Sequence, residues 1–180
     1  METSQRLAME LLYWTAARAS DAVRLGPGMV TKDGWLTFRQ MKTGGEVSVP
    51  FSRELPAFAS AMQPDLEMLK SAIAQAPRHM TWLVTVFGKA RSQKAFSSWF
   101  AEAAETASVT GKSAHGLRKA RSQALAEAGA SAHQIAAWTG HESLSEVQRY
   151  SKASDKKRIL SAPKSASSAG SNPLNLHEAG

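Results

Sequence analysis

Two short segments late in the chain hold polar groups suited to an anion. His115-Gly116-Leu117-Arg118 places an imidazole and a guanidinium three residues apart, which puts them on one face of a helix near its start. The free N–H groups of a helix start favour negative charge. A guanidinium beside them adds a fixed fork of donors that matches phosphate. The same pair also fits a solvated helix face. Trp138-Thr139-Gly140-His141 ends a helix at Gly140 and puts His141 on the next turn, with Tyr150 nine residues later. Taken singly, His141 fits an exposed loop histidine. Leu144, Val147 and Tyr150 recur at a helical step, so Tyr150 also fits a core-edge position. Near the other end, Arg18 lies in Thr15-Ala16-Ala17-Arg18-Ala19-Ser20-Asp21. An Arg closing a buried helix needs an anionic partner, and Asp21 is a structural candidate.

The elements that must position these groups can be read from the pattern. Leu7, Leu11 and Trp14 recur at helical spacing within Ser4 to Arg18. Ser20 can cap a short helical turn through Leu25, which Gly26-Pro27-Gly28 stops. Two turn signals, Lys32-Asp33-Gly34 and Lys42-Thr43-Gly44-Gly45, bracket the β-forming run Trp35 to Gln40, and Glu46 to Pro50 alternates. These predict a meander of two or three antiparallel strands with Lys42 at the mouth of the second hairpin. Ser52 to Ala76 reads as helical, with breaks at Pro56 and Pro64. Met80 to Phe87 reads as β-rich or irregular and leads into the basic loop Gly88 to Arg91. Ser92, Ser113, Ser131 and Ser143 each sit before a helical pattern. The first of those helices presents Phe96, Trp99, Phe100, Ala103, Ala104 and Ala107 on one face. The fold class expected is α+β, mostly helical, with a small antiparallel meander. Residues 161–180 are expected to be a flexible tail, since Ser, Ala, Gly and Pro fill 13 of those 20 positions.

Composition narrows the partners. The 180 residues carry a formal charge of +7, which points to polyanions, nucleic acid above all. Between Gly111 and Lys152 six cations (Lys112, Arg118, Lys119, Arg121, Arg149, Lys152) face three acids. Lys89 and Arg91 add a second basic loop. Lys89, Arg91, Lys112, Lys119, Arg121 and Arg149 are therefore expected to contact DNA phosphates. There is no cysteine, which excludes disulfides, Cys-ligated zinc, iron–sulfur clusters and thiol catalysis. None of the five histidines forms an HxH or HExxH pair, so neither a metal nor a cofactor is expected. No apolar run approaches the roughly 18 residues of a membrane span, and Arg6 and Glu10 interrupt the one candidate leader stretch. A soluble, cytoplasmic protein is the expectation.

Taken in order, the chemical residues resemble the catalytic domain of the tyrosine recombinase (phage integrase) family over about residues 4–158. Thr-x-x-Arg-x-Ser-Asp at 15–21 resembles the family's first arginine box, and His115-Gly-Leu-Arg118 its second. Gly140-His141 with Tyr150 resembles the third box and the nucleophile, and Lys42 the hairpin lysine. The family usually has Gly where Ala16 stands, Glu where Asp21 stands and an aliphatic residue where Thr139 stands. These departures touch packing rather than the reacting groups. Family members normally carry a helical DNA-clamping domain before the first box. The resemblance therefore implies a catalytic domain over residues 1–160 without that domain, either a fragment or a shortened relative.

The resemblance implies a site-specific recombinase that cleaves and rejoins DNA strands through a covalent 3′-phosphotyrosyl intermediate. It also implies rejoining without ATP and assembly as a homotetramer on paired sites of double-stranded DNA. Arg18 and Arg118 would clamp the non-bridging phosphate oxygens. Tyr150 would attack, and His115 would accept its proton. His141 would donate a hydrogen bond to the phosphate, and Lys42 would protonate the leaving 5′ oxygen. Three other readings compete. Leu125 to Gly140 resembles a helix-turn-helix, which would make the chain a non-catalytic DNA-binding regulator. A decayed integrase remnant would keep the fold without the activity. A monomeric DNA-relaxing topoisomerase would use the same chemistry.

Overall fold

The computed structural model describes residues 3–109, 112–150 and 152. The expected tail at 161–180 lies outside them. Helix α1 (Thr3–Thr15) is the centre of the fold. Its apolar side, Leu7, Ala8, Leu11, Leu12 and Trp14, is buried and packs mainly on α3 (Gln63–Ala74) and α5 (Ala114–Glu127). The helix was expected to reach Arg18 but stops at Thr15. There the Thr15 hydroxyl donates to the Leu11 carbonyl at 2.6 Å and accepts the Ala17 N–H at 3.2 Å. Ala16 then takes a left-handed backbone, φ 51°, which ordinarily costs an L-residue about 1–2 kcal/mol. The turn leaves Arg18, rather than the expected Ser20, at the start of the short helix α2 (Ala19–Ala22).

The meander consists of β1 (Trp35–Arg39) and β2 (Glu46–Pro50), paired antiparallel with Leu36 opposite Val49 and Phe38 opposite Val47. Those four side chains are buried. A third strand is reduced to one bridge between Val30 and Leu36. The stretch expected to be helical from Ser52 begins as irregular chain and a 3-10 turn at Ala57–Met62. Pro64 then opens α3 instead of breaking it, because Pro lacks only an N–H that a first turn leaves unused. In the 80–90 segment a Val84–Ala90 bridge closes a turn that presents Lys89 to solvent. Helices α4 (Gln93–Thr106), α5 and α6 (Ala132–Thr139) begin at Ser92, Ser113 and Ser131, each of whose hydroxyls accepts a backbone N–H. Helical backbone at 144–150 forms α7.

Two tryptophans join the layers. Trp14 and Trp138 meet edge to face with centroids 5.1 Å apart. Trp14 Nε1 donates to the Pro50 carbonyl and Trp138 Nε1 to the Trp14 carbonyl, both at 2.9 Å. Thus α6 is wedged against α1 and the hairpin, with Ile135, Trp138 and Thr139 buried.

Arg121 is the clearest correction to the expected DNA contacts. It is fully buried. Its Nε donates to the Tyr13 carbonyl at 2.9 Å, and its guanidinium lies 3.9 Å from the Tyr13 ring centroid. Nη2 is 2.9 Å from Asp65 Oδ2, an ion pair out of hydrogen-bond alignment. The helical step from Arg118 turns this residue inward, where it joins α5 to α1 and α3. Arg91 is half-buried as well. It stacks 3.9 Å over Trp99 and donates to the Val84 carbonyl at 3.2 Å. Lys89, Lys112, Lys119 and Arg149 are exposed.

Removing the Arg121 side chain strands Asp65 and opens a hole. Arg121→Ala should therefore cost about 3 kcal/mol, whereas Arg149→Ala should stay within about 0.5 kcal/mol. Urea midpoints of the two variants measure this, and equal midpoints would contradict the structural role of Arg121.

Candidate anion-binding site

Arg118 enters the site from the first turns of α5 and is almost fully buried. Its Nη1 donates to the carbonyls of Ala16 at 2.7 Å and Thr139 at 2.6 Å. The left-handed turn at Ala16 thus aims a helix-end carbonyl at the guanidinium. Nη2 of Arg118 is buried and has no hydrogen-bond partner. Nη1 of Arg18 is in the same condition. Asp21 does not satisfy Arg18: its Oδ1 instead accepts the Met41 N–H at 2.8 Å. Buried donors without partners are rare and costly.

The two arginines share a cleft of about 320 Å³ with His115, Ser97, Ser113 and Ala114. Burial, then the nearby Arg18 charge, lowers Arg118 to about 10, so it stays charged at neutral pH. His115 is pulled below its ordinary value by burial, then by Lys119 and Arg118. His141 is lowered to about 4 by burial, then by Arg118. It is therefore neutral at pH 7, and its 3.8 Å approach to Glu146 is not an ion pair there. This is a cluster of donors and mutually repelling cations. An anion would relieve both the repulsion and the unmet hydrogen bonds.

His141 reaches the cluster through Thr139 and Gly140. Gly140 closes α6 at φ 69°. A Cβ there would lie 2.4 Å from both Gln40 Nε2 and Val47 Cγ2, so the hairpin can press directly on the helix end. Gln40, which the sequence reading did not single out, is buried in that contact. It donates to the Thr139 carbonyl at 3.1 Å and accepts the Thr43 hydroxyl at 2.8 Å. The turn bearing Lys42 is thereby tied to the carbonyl that Arg118 also uses.

Of the six expected catalytic residues, Arg18, His115 and Arg118 line one cleft, and the charges of all three act on His141. Tyr150 packs partly buried at the core edge, close enough for its charge to act on Arg118. Lys42 is exposed on its turn and is not among the cleft-lining residues. Residues missed from the sequence are Gln40 and Thr139. The one signal for Thr139 was its departure from an aliphatic residue. Among the described residues, no group of three or more His, Asp or Glu could hold a metal ion, and no helix is long and apolar enough to cross a membrane.

The arrangement can be compared with known proteins. The sequence model of the phage integrase family matches residues 1–157. The fold is similar to that of a lambda integrase (75-356) dimer bound to a COC' core site, at 24% identity and TM-score 0.61, covering 82% of this chain and 52% of that one. It is similar to a lambda integrase tetramer bound to a Holliday junction, at 25% identity and TM-score 0.59, covering 79% and 42%. The lambda integrase catalytic core matches at 22% identity and TM-score 0.62, covering 77% of this chain and 80% of that one. The chain thus spans about half or less of the two longer structures. No curated protein sequence matches it.

Because its pKa is depressed, His141 should titrate with a midpoint near 4 in the folded chain. The unfolded chain takes that proton first, so stability should fall as pH drops from about 6.5 towards 4. His141→Gln should flatten that part of the curve. Ring-proton NMR reads the midpoint, and a value at or above that of a free imidazole would contradict the burial and charge environment described.

Proposed function

The chain belongs to the phage integrase family, and on that premise we propose that it carries the DNA cleavage and rejoining centre of a site-specific recombinase. The observation that carries this reading is the pair of buried, unpartnered donors on Arg18 and Arg118, two residues that line one cleft with His115. A DNA phosphodiester is an anion whose non-bridging oxygens gain charge during displacement. Donors fixed in advance stabilise that charge without reorganising. The unpaired N–H groups are thus assigned to the two non-bridging oxygens.

Tyr150 is assigned as the nucleophile. Its Oη forms the new bond to phosphorus as the bond to the 5′ oxygen breaks, leaving a 3′-phosphotyrosyl link. The phenol must lose its proton as it attacks. His115, held below its ordinary value, is the assigned acceptor. The departing 5′ oxygen needs a proton, and Lys42 is assigned to supply it. Lys42, exposed on its turn, would reach the cleft by movement of that turn about the base held by Gln40. Attack by the freed 5′ hydroxyl on the phosphotyrosine reverses each step, so the phosphodiester is restored without ATP. Double-stranded DNA is the proposed partner, with assembly as a homo-oligomer on paired sites. Residues 1–160 are proposed as the catalytic domain. Lys89, Lys112, Lys119 and Arg149 are proposed to neutralise flanking phosphates.

The experiment is a denaturing gel of the chain incubated with nicked suicide duplex. The unmodified chain should give a covalent protein–DNA band that a chelator does not reduce. Tyr150→Phe should abolish the band, because the attacking oxygen is gone, while still binding duplex. A normal yield from the Phe variant would overturn the assignment. A chain that binds duplex but forms no adduct would be an inactive remnant.

A further inference from the structure

Thr139 carries a hydroxyl beside His141, and its bonds determine what that imidazole can do. Thr139 Oγ1 has one proton. It lies 2.7 Å from the Ile135 carbonyl, to which it donates along the helix. The same oxygen lies 2.5 Å from His141 Nδ1. With its proton committed to Ile135, Oγ1 can only accept from the ring. In that arrangement the ring proton sits on Nδ1, since the tautomer follows from the partner. The main chain of Thr139 is fixed as well, since its carbonyl accepts from both Arg118 and Gln40.

We propose that Thr139 is a positioning residue that holds neutral His141 in its Nδ1–H form, leaving Nε2 as a bare acceptor. The proposal rests on the reading of His141 as a phosphate-facing residue and goes beyond it. In this form His141 cannot donate to a phosphate oxygen. It does so only after a second proton binds at Nε2, so engagement of the phosphate takes up a proton. The charged and titratable groups acting on the ring are Arg118, Arg18, His115 and Glu146, with Glu46 and Glu142 lining the adjoining recess. The three positive or protonatable groups oppose that second proton. A bound phosphate screens the arginines and accepts the new hydrogen bond, which reverses the balance. Glu146, 3.8 Å from Nε2 and 68% exposed, is beyond hydrogen-bond distance and free to swing.

The test is nitrogen NMR of the histidine rings in the full chain near pH 7.5, with His141 assigned by the signal lost in His141→Gln. The expected result is a protonated Nδ1 and an unprotonated Nε2. Thr139→Val keeps the shape and removes the acceptor, so the ring should shift mainly to Nε2–H. Thr139→Ser restores a hydroxyl and should keep the original form even if the Val variant folds poorly. An Nε2–H ring in the unmodified chain, or an unchanged ring in a folded Val variant, would overturn the proposal. A second arm adds a short duplex. His141 should then carry protons on both nitrogens, and a singly protonated ring on bound DNA would overturn the proton-uptake part. Failure to bind or cleave DNA would count against the recombinase reading and would leave the tautomer result standing.

Discussion

The Arg118 guanidinium sits between the last carbonyls of two helices, 2.7 Å from Ala16 and 2.6 Å from Thr139. Both carbonyls are ends that an α-helix leaves without intrahelical partners. A single cation therefore satisfies the exit of α1 and the exit of α6 at once. Arg18 follows two residues after Ala16 and His141 two after Thr139. Their placement is inherited from that junction. The hairpin is fastened to the same point, because Gln40 donates to the Thr139 carbonyl and Gly140 leaves no room for a side chain. Holding Arg18 and His141 beside one guanidinium, with the hairpin fastened next to them, requires such a node. Without it, burying Arg118 would cost several kcal/mol with little return.

Arg118 and Arg121 stand three residues apart on α5 and have opposite fates. Arg121 meets Asp65, the Tyr13 carbonyl and an aromatic face. Its charge is used within the fold. Arg118 donates to two carbonyls, with the Arg18 cation opposing its charge and the Asp21 and Glu146 carboxylates favouring it, and keeps an N–H without a partner. A protein that merely needed to bury a guanidinium would supply the carboxylate. Here the Asp21 carboxylate bonds the Met41 amide instead.

Helices α4, α5 and α6 were legible because their starts carry serine caps and their faces repeat at the helical period. The hairpin was legible from Lys42-Thr43-Gly44-Gly45. The end of α1 was not, because Thr15 stops the helix with its own hydroxyl and no Gly or Pro marks the place. Pro64 misled because proline breaks a helix in its interior but opens one at its first turn. Arg18, His115, Arg118 and His141 could be found by type and order. Whether a given arginine faces the site or the core could not, since Arg118 and Arg121 read alike in sequence and differ only in what α1 and α3 bring against them. Gln40 and Thr139 act through contacts about a hundred residues apart in the chain for the first pair, and no local pattern records that.

The most direct measurement follows the arginine side-chain N–H signals of the full chain as a short DNA duplex is added. Arg18 and Arg118 are expected to shift and to exchange more slowly with solvent as their unpartnered donors meet phosphate. Arg121, closed in by Asp65 and Tyr13, is expected to stay where it is. A duplex that binds while the Arg18 and Arg118 signals remain unmoved would contradict the assignment of this junction as the phosphate site.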